Sequence, residues 1–182
     1  GATSPLGGTA RDSWTALLAG ESGAHTMTHD WVAQYDLPVT FNLDDAMEGR
    51  RFPYAWDPGY GARVGLMPLH GDPADVQWFE VESCYVFHPV NAFDDGNTVV
   101  VDVARHPRMF DRDRRGPNEG NTRLDRWTID PSASAVKEET LDDTSVELPR
   151  HDERRLGQSY RYGYAMQVGE QFGHSGAVKF DL

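Results

Sequence analysis

Short runs of β-forming residues, separated by turn signals roughly every 8 to 12 residues, are the feature that most constrains the fold of this chain. Helical periodicity is almost absent. Residues 63–68 and 76–81 predict a hairpin, and residues 123–129 predict a strand that turns and returns through 135–141. These patterns predict an all-β protein, built as a sandwich, a barrel or a propeller. The long excursions between the runs favour a propeller, whose inner strands converge on one axis.

The stretch from Cys84 to Gly96 predicts a strand that ends on His88, because Pro89 cannot donate to a strand ladder. Asp95 and Gly96 predict a tight turn before a further strand. A strand end holds a side chain at a fixed point, which a metal ligand or a catalytic base requires. Taken alone, His88 is better interpreted as a histidine whose hydrogen bonds are satisfied in a polar loop.

Two histidines lie four residues apart upstream, at His25 and His29. On a helix they would face one side, as in a zinc protease motif, but Thr26 stands where that motif needs a glutamate. The alternation of polar and apolar residues favours an extended segment, in which the two histidines are about 13 Å apart. One ion cannot then bind both, and His29, followed by Asp30, is the better candidate for a metal ligand.

The acidic composition argues against nucleic acid as a partner. The chain has 182 residues, enough for one core or for part of a larger one, and a formal net charge of −12. Such a charge repels nucleic acid unless basic residues gather on one face. The densest basic cluster, at 105–115, contains Asp111 and Asp113 and is typical of a solvated loop.

The single cysteine, Cys84, excludes an intrachain disulfide and fits a reducing compartment. No apolar run approaches the ~20 residues needed to span a bilayer, and no charged-then-apolar leader is present. We therefore expect a soluble, cytoplasmic protein.

Eight short stretches, taken in order, resemble the carotenoid cleavage oxygenases, the family that also contains lignostilbene dioxygenases and the retinal pigment epithelium isomerase. The resemblance covers residues 27–182, leaves 1–26 unassigned, and treats 1–182 as one incomplete domain. The stretches are MTHDW (27–31), DLPVTF (36–41), WDP (56–58) with GAR (61–63), WFE (78–80), FHPVNA (87–92), LDRW (124–127), VELP (146–149) and YRYGY (160–164).

The resemblance implies a seven-bladed β-propeller, of which this chain holds a part, with Fe²⁺ on the axis. Four histidines hold the ion in this family, and glutamates brace three of them. His29 and His88 match two of the four ligands, and Glu147 matches the glutamate that braces His88. Without the family motif, Glu147 would be interpreted as a surface acid on an edge strand.

The implied reaction is that of a non-haem Fe(II) dioxygenase, which cleaves a double bond of a carotenoid, apocarotenoid or stilbene to two carbonyl products. The implied partners are the apolar polyene or stilbene and O₂, with any peripheral membrane contact made by segments outside this sequence. Two alternatives stay open: an isomerase, and a catalytically silent propeller fragment that binds an apolar ligand or partner. The chain lacks the family's other ligand histidines and is several residues short between Trp31 and Asp36.

Overall fold

Antiparallel strands supply nearly all the regular structure in the computed structural model, which describes residues 25–114, 119–169 and 174–182. Among these residues, no helix is long and apolar enough to cross a membrane. The elements are β1 (His25–Met27), β2 (Trp31–Asp36), β3 (Val39–Phe41), α1 (Leu43–Met47), β4 (Tyr54–Trp56), β5 (Ala62–Pro68), β6 (Gln77–Val81), β7 (Tyr85–Asp95), β8 (Thr98–His106), β9 (Arg123–Asp130), β10 (Ala135–Asp142), β11 (Val146–His151), β12 (Tyr162–Val168) and β13 (His174–Asp181).

The strands form three successive sheets, which we call the first, second and third blades. The first blade has the order β1-β2-β5-β6, the second β7-β8-β9-β10, and the third β11-β12-β13. A small ribbon of β3 and β4 leaves the first blade between β2 and β5. The edge strands β1 and β11 both contact β7, so the first strands of the three blades lie side by side. This confirms the predicted all-β class and fits part of a propeller.

The hydrophobic core lies between the blades. Val99 and Val101 of β8 and Trp127 of β9 belong to a buried cluster that also includes Val64 and Leu66 of the first blade. A second cluster joins the second blade to the third; it consists of Val90, Leu124, Val146, Ala165 and Phe180. Because the second blade is covered on both faces, β8 is buried along nearly its whole length rather than alternating.

The prediction that the strand ends at His88 is wrong, since β7 continues through Pro89 to Asp95. The ladder to β8 shifts register on both sides of Pro89. A proline is tolerated there because β7 is an edge strand, whose other side needs no ladder hydrogen bonds. The predicted turn is confirmed: Asp95 pairs with Thr98, and Gly96 has a φ of 61°.

The connection from β11 to β12 is fixed to β7 by one buried side chain. The amide of Asn91 donates to the carbonyls of Arg155 and Gln158, at 3.2 and 3.0 Å, and its oxygen accepts from the Gly157 N–H at 3.2 Å. A Cβ on Gly157 would lie 3.4 Å from the backbone of Thr28. This connection therefore brings the third blade against the turn between β1 and β2.

Candidate metal centre

His88 and Glu147 meet where the second and third blades adjoin. The His88 Nδ1 lies 2.7 Å from the Glu147 Oε2, so the bond joins the edge strands β7 and β11. The His88 side chain is 49% exposed, whereas that of Glu147 is only 11% exposed. Because Nδ1 donates to the carboxylate, Nε2 is the ring nitrogen that keeps a lone pair for a ligand.

Glu147 is held by three donors. Its Oε1 accepts from His106 Nε2 at 2.5 Å, and its Oε2 accepts from the Leu148 N–H at 2.7 Å as well as from His88. Burial raises the pKa of this carboxyl, but the hydrogen bonds from His106, Leu148 and His88 together lower it by more. The net pKa is therefore below its ordinary value. Glu147 is therefore an anion at neutral pH.

The backbone of β11 is shaped to make this site. Leu148 has a φ of 51°, in the left-handed region that a leucine rarely adopts. The pairing with β12 shifts register between Glu147 and Arg150. The irregularity turns the Leu148 N–H back toward the preceding carboxylate, and strained backbone of this kind is typical of functional positions.

His106 is a member of the site that the sequence interpretation missed. It ends β8, it is 2% exposed, and its Nδ1 lies 3.2 Å from the hydroxyl of Thr122. We placed 105–115 in a solvated loop, which is wrong for its first two residues, since Arg105 is also buried and contacts Asp125. The available signal was a histidine followed by proline at the end of a β-forming run, the same pattern that singled out His88.

His29 lies on the turn between β1 and β2, away from this pair. Its side chain is 88% exposed and its Nδ1 contacts the Asp30 carboxylate at 2.9 Å. That hydrogen bond and the charge of Asp30 raise the pKa of His29 above its ordinary value. The flanking residues bind Asp94: the Thr28 hydroxyl donates to one carboxylate oxygen at 2.9 Å, and the Asp30 N–H to the other at 3.2 Å.

The turn that carries His29 is held to β7 at Asp94, which lies six residues beyond His88 on that strand. Within the described ranges, no group of three or more His, Cys, Asp or Glu is arranged to hold a metal ion. The structure brings His88 and Glu147 into contact, whereas the described contact of the His29 ring is with Asp30, and its role as a ligand stays a prediction.

Comparison with known proteins identifies the class to which the chain belongs. Residues 24–182 match the model of the family described as retinal pigment epithelial membrane protein. The chain is 38% identical over 207 residues to a carotenoid cleavage oxygenase of Mycobacterium tuberculosis, a match that covers 88% of this chain and 41% of that protein. The chain is thus a member of the carotenoid cleavage oxygenase family, as its motifs predicted.

Other relatives widen this picture. An isoeugenol monooxygenase of Pseudomonas putida is 30% identical over 146 residues, covering 76% of this chain and 30% of that protein. The solved structure of a cobalt-substituted apocarotenoid oxygenase of Synechocystis has a TM-score of 0.73 at 23% identity, covering 86% of this chain and 35% of that chain. The chain therefore spans less than half the length of these relatives.

The mycobacterial match also bears on the expected shortening. Its alignment of 207 positions is longer than the 182 residues of this chain. The relative must therefore carry residues, inside the matched region, that this chain lacks. The position of the shortening, between Trp31 and Asp36, stays a prediction.

Proposed function

We propose that this chain is part of a non-haem Fe(II) dioxygenase that cleaves a carbon–carbon double bond of a carotenoid, apocarotenoid or stilbene to two carbonyl products. The observation that carries the proposal is the 2.7 Å bond from His88 Nδ1 to Glu147 Oε2. Family membership supplies the context, since relatives carry the names carotenoid cleavage oxygenase and isoeugenol monooxygenase.

The chemistry of His88 suits ferrous iron. A neutral imidazole is a good ligand for Fe²⁺, and a carboxylate on its far N–H fixes the tautomer and raises the basicity of the ligating nitrogen. His106 is not a candidate ligand, because Glu147 and Thr122 occupy its two ring nitrogens. In this proposal His88 would be one of several histidines that hold the ion, and the ion would supply the activation of O₂ that double-bond cleavage needs.

The surroundings of His88 support an apolar substrate. The Phe87 ring is 6.2 Å from the His88 ring and 6.1 Å from Phe110, which in turn lies 4.7 Å from Phe52. Tyr85 packs on Phe87 at 4.8 Å. Such rings offer an apolar surface beside the half-exposed imidazole to a polyene or stilbene, with O₂ as the second substrate.

The experiment uses the whole gene product that contains this chain. Iron content is measured on the purified protein, and oxygen uptake and carbonyl products are measured with one apocarotenoid and one hydroxystilbene. His88→Ala is expected to lower both iron content and product formation, while His70→Ala, a change at an exposed loop histidine, leaves both unchanged. Protein that holds no iron and forms no carbonyl product overturns the proposal; a product that retains every substrate carbon indicates an isomerase.

One observation favours the second candidate, a catalytically silent propeller segment that binds an apolar ligand or partner. His29 is exposed, and among the described residues no group of three or more His, Cys, Asp or Glu is arranged to hold a metal ion. The two candidates differ in redox chemistry. A silent segment binds the stilbene with no metal dependence and no oxygen uptake, whereas the dioxygenase loses its turnover when a chelator removes iron.

We also propose a cytoplasmic location. The only cysteine of the sequence, Cys84, is a buried free thiol, which is compatible with a reducing compartment. Fractionation of cells that produce the tagged gene product tests this, and recovery in a secreted or membrane fraction contradicts it.

A further inference from the structure

The buried histidine His106 and the candidate ligand His88 lie on opposite oxygens of one carboxylate. Glu147 Oε1 is 2.5 Å from His106 Nε2, and Glu147 Oε2 is 2.7 Å from His88 Nδ1. His106 belongs to β8, Glu147 to β11 and His88 to β7, so the three side chains form a chain of hydrogen bonds across two blades. The burial of His106 contrasts with the half-exposed ring of His88.

The positions of the protons in the hydrogen bonds between His106, Glu147 and His88 follow from the chemistry of these groups. A carboxylate only accepts, so both histidines must donate to it: His106 through Nε2–H and His88 through Nδ1–H. The remaining nitrogen of His106, Nδ1, then accepts from the hydroxyl of Thr122 at 3.2 Å. Each polar atom of His106 thus has a partner within the protein, as a buried imidazole requires.

The His106 ring is also held by packing. The ring of Phe87 meets it edge to face, with centroids 5.3 Å apart and an interplanar angle of 90°. Phe87 directly precedes His88, so the same strand presents one ring to His106 and the next to Glu147. Held by two hydrogen bonds and this ring contact, His106 is a rigid donor to Oε1, while the Leu148 N–H and His88 contact Oε2.

We propose that His106 is a positioning residue, which holds the Glu147 carboxylate so that Oε2 meets His88 Nδ1 and His88 keeps Nε2 free as a metal ligand. The part of this inference that concerns metal rests on the proposed function. The part that concerns the tautomer of His88 does not, since it can be observed without metal. Loss of a hydrogen bond that a metal-ligating side chain makes to its partner, here His88 to Glu147, typically weakens metal affinity about 10–100-fold.

Two amide variants separate a donor role from packing. His106→Gln can place its side-chain N–H₂ near the position of Nε2, whereas His106→Asn carries the same amide but is one methylene too short to reach Glu147. His151→Phe is the control, because His151 lies at the end of the same strand as Glu147 and packs on Tyr160 at 5.5 Å instead. All are made in the whole gene product; if His106→Asn does not fold, His106→Phe takes its place.

Two measurements are made on each variant: the tautomer of His88 in metal-free protein, from its ring nitrogen and proton NMR signals, and the affinity for Co²⁺ added alone. We expect Nδ1–H at His88 in the wild type, His106→Gln and His151→Phe. In His106→Asn we expect a mixture with Nε2–H at His88 and a weaker affinity for Co²⁺, by no more than the about 10–100-fold that loss of the His88–Glu147 bond itself would cause. A wild-type result for His106→Asn, or an equal loss in His106→Gln, overturns the positioning role.

The two readouts also distinguish this inference from the proposed function. If the wild type binds no Co²⁺ but His106→Asn still shifts the His88 tautomer, the metal site fails and the positioning role stands. If the wild type binds Co²⁺ and His106→Asn changes neither readout, the positioning role fails and the metal site stands.

Discussion

The Thr28 hydroxyl donates to the Asp94 carboxylate at 2.9 Å and thereby fastens the turn that carries His29 to the far end of β7. The same carboxylate accepts from the Asp30 N–H at 3.2 Å. One side chain of the second blade therefore helps to hold the turn between β1 and β2 against β7.

Asp94→Ala is expected to release this turn. The Thr28 hydroxyl and the Asp30 N–H then lose the Asp94 carboxylate as their acceptor. This loss should cost about 1–2 kcal/mol in the free energy of unfolding. Hydrogen exchange of residues 28–31, followed by mass spectrometry, should become faster. Asp95→Ala is the matched control, because Thr98 binds the backbone carbonyl of Asp95 rather than its carboxylate. Equal exchange in the two variants would contradict the role given to Asp94.

Asp102 is expected to be a major contributor to stability between the second and third blades. Its fully buried carboxylate accepts from Arg126 at 2.7 and 2.9 Å and from the Tyr160 hydroxyl at 2.6 Å. Asp102→Ala leaves the Arg126 guanidinium unpaired in a largely buried place, which should cost about 3 kcal/mol, measured by urea unfolding.

The control for Asp102 is an ion pair of similar geometry at the surface. Asp181 accepts from Arg161 at 2.6 and 2.8 Å, but both side chains are mostly exposed. Asp181→Ala should therefore change the free energy of unfolding far less than Asp102→Ala does, because water and salt screen an exposed ion pair. A loss for Asp102→Ala no larger than that for Asp181→Ala would show that burial does not strengthen the inner contact.

The local elements of this fold could be predicted from the sequence, because each depends on residues close together in the chain. The hairpin of β5 and β6 and the pair of β9 and β10 follow from alternation and turn residues, and both are confirmed. The course of β7 through Pro89 was not predictable in this way. It depends on β7 being the edge strand of its sheet, which is a property of the assembled blade.

The candidate site likewise depends on contacts between residues far apart in the sequence, which local patterns do not predict. The contact of His88 with Glu147 joins residues 59 positions apart, and only the resemblance to a family pointed to it. His106 was missed because its role depends on a carboxylate from another blade. The exposed position of His29 depends on where the turn before Trp31 forms.

Cys84 is expected to be unreactive in the folded protein. Its side chain is fully buried, and burial raises the pKa of the thiol to about 12, despite the opposing effect of the Arg105 charge. A disulfide reagent should therefore label Cys84 only after unfolding, and rapid labelling of the native protein would contradict this burial.

The raised pKa of Cys84 favours the protonated thiol in the folded state. The stability that this thiol contributes is therefore present below about pH 9, the ordinary thiol value, and is lost as pH rises toward 12. Cys84→Ala should lack this part of the alkaline loss of stability.

Glu147→Gln is expected to destabilise the protein, although glutamate and glutamine side chains have nearly the same shape. Three donors point at the carboxylate, from His106, His88 and the Leu148 backbone, whereas an amide offers one acceptor oxygen and places N–H₂ against at least one of them. The conflict should cost about 1–3 kcal/mol in the free energy of unfolding, unless one histidine changes tautomer to accept from the amide. Glu139→Gln, at an exposed carboxylate that contacts Lys137, is the control and should be nearly neutral. Urea unfolding measures the cost, and histidine NMR shows which ring has changed its proton; a neutral Glu147→Gln with both rings unchanged would mean that the carboxylate does not organise the two histidines.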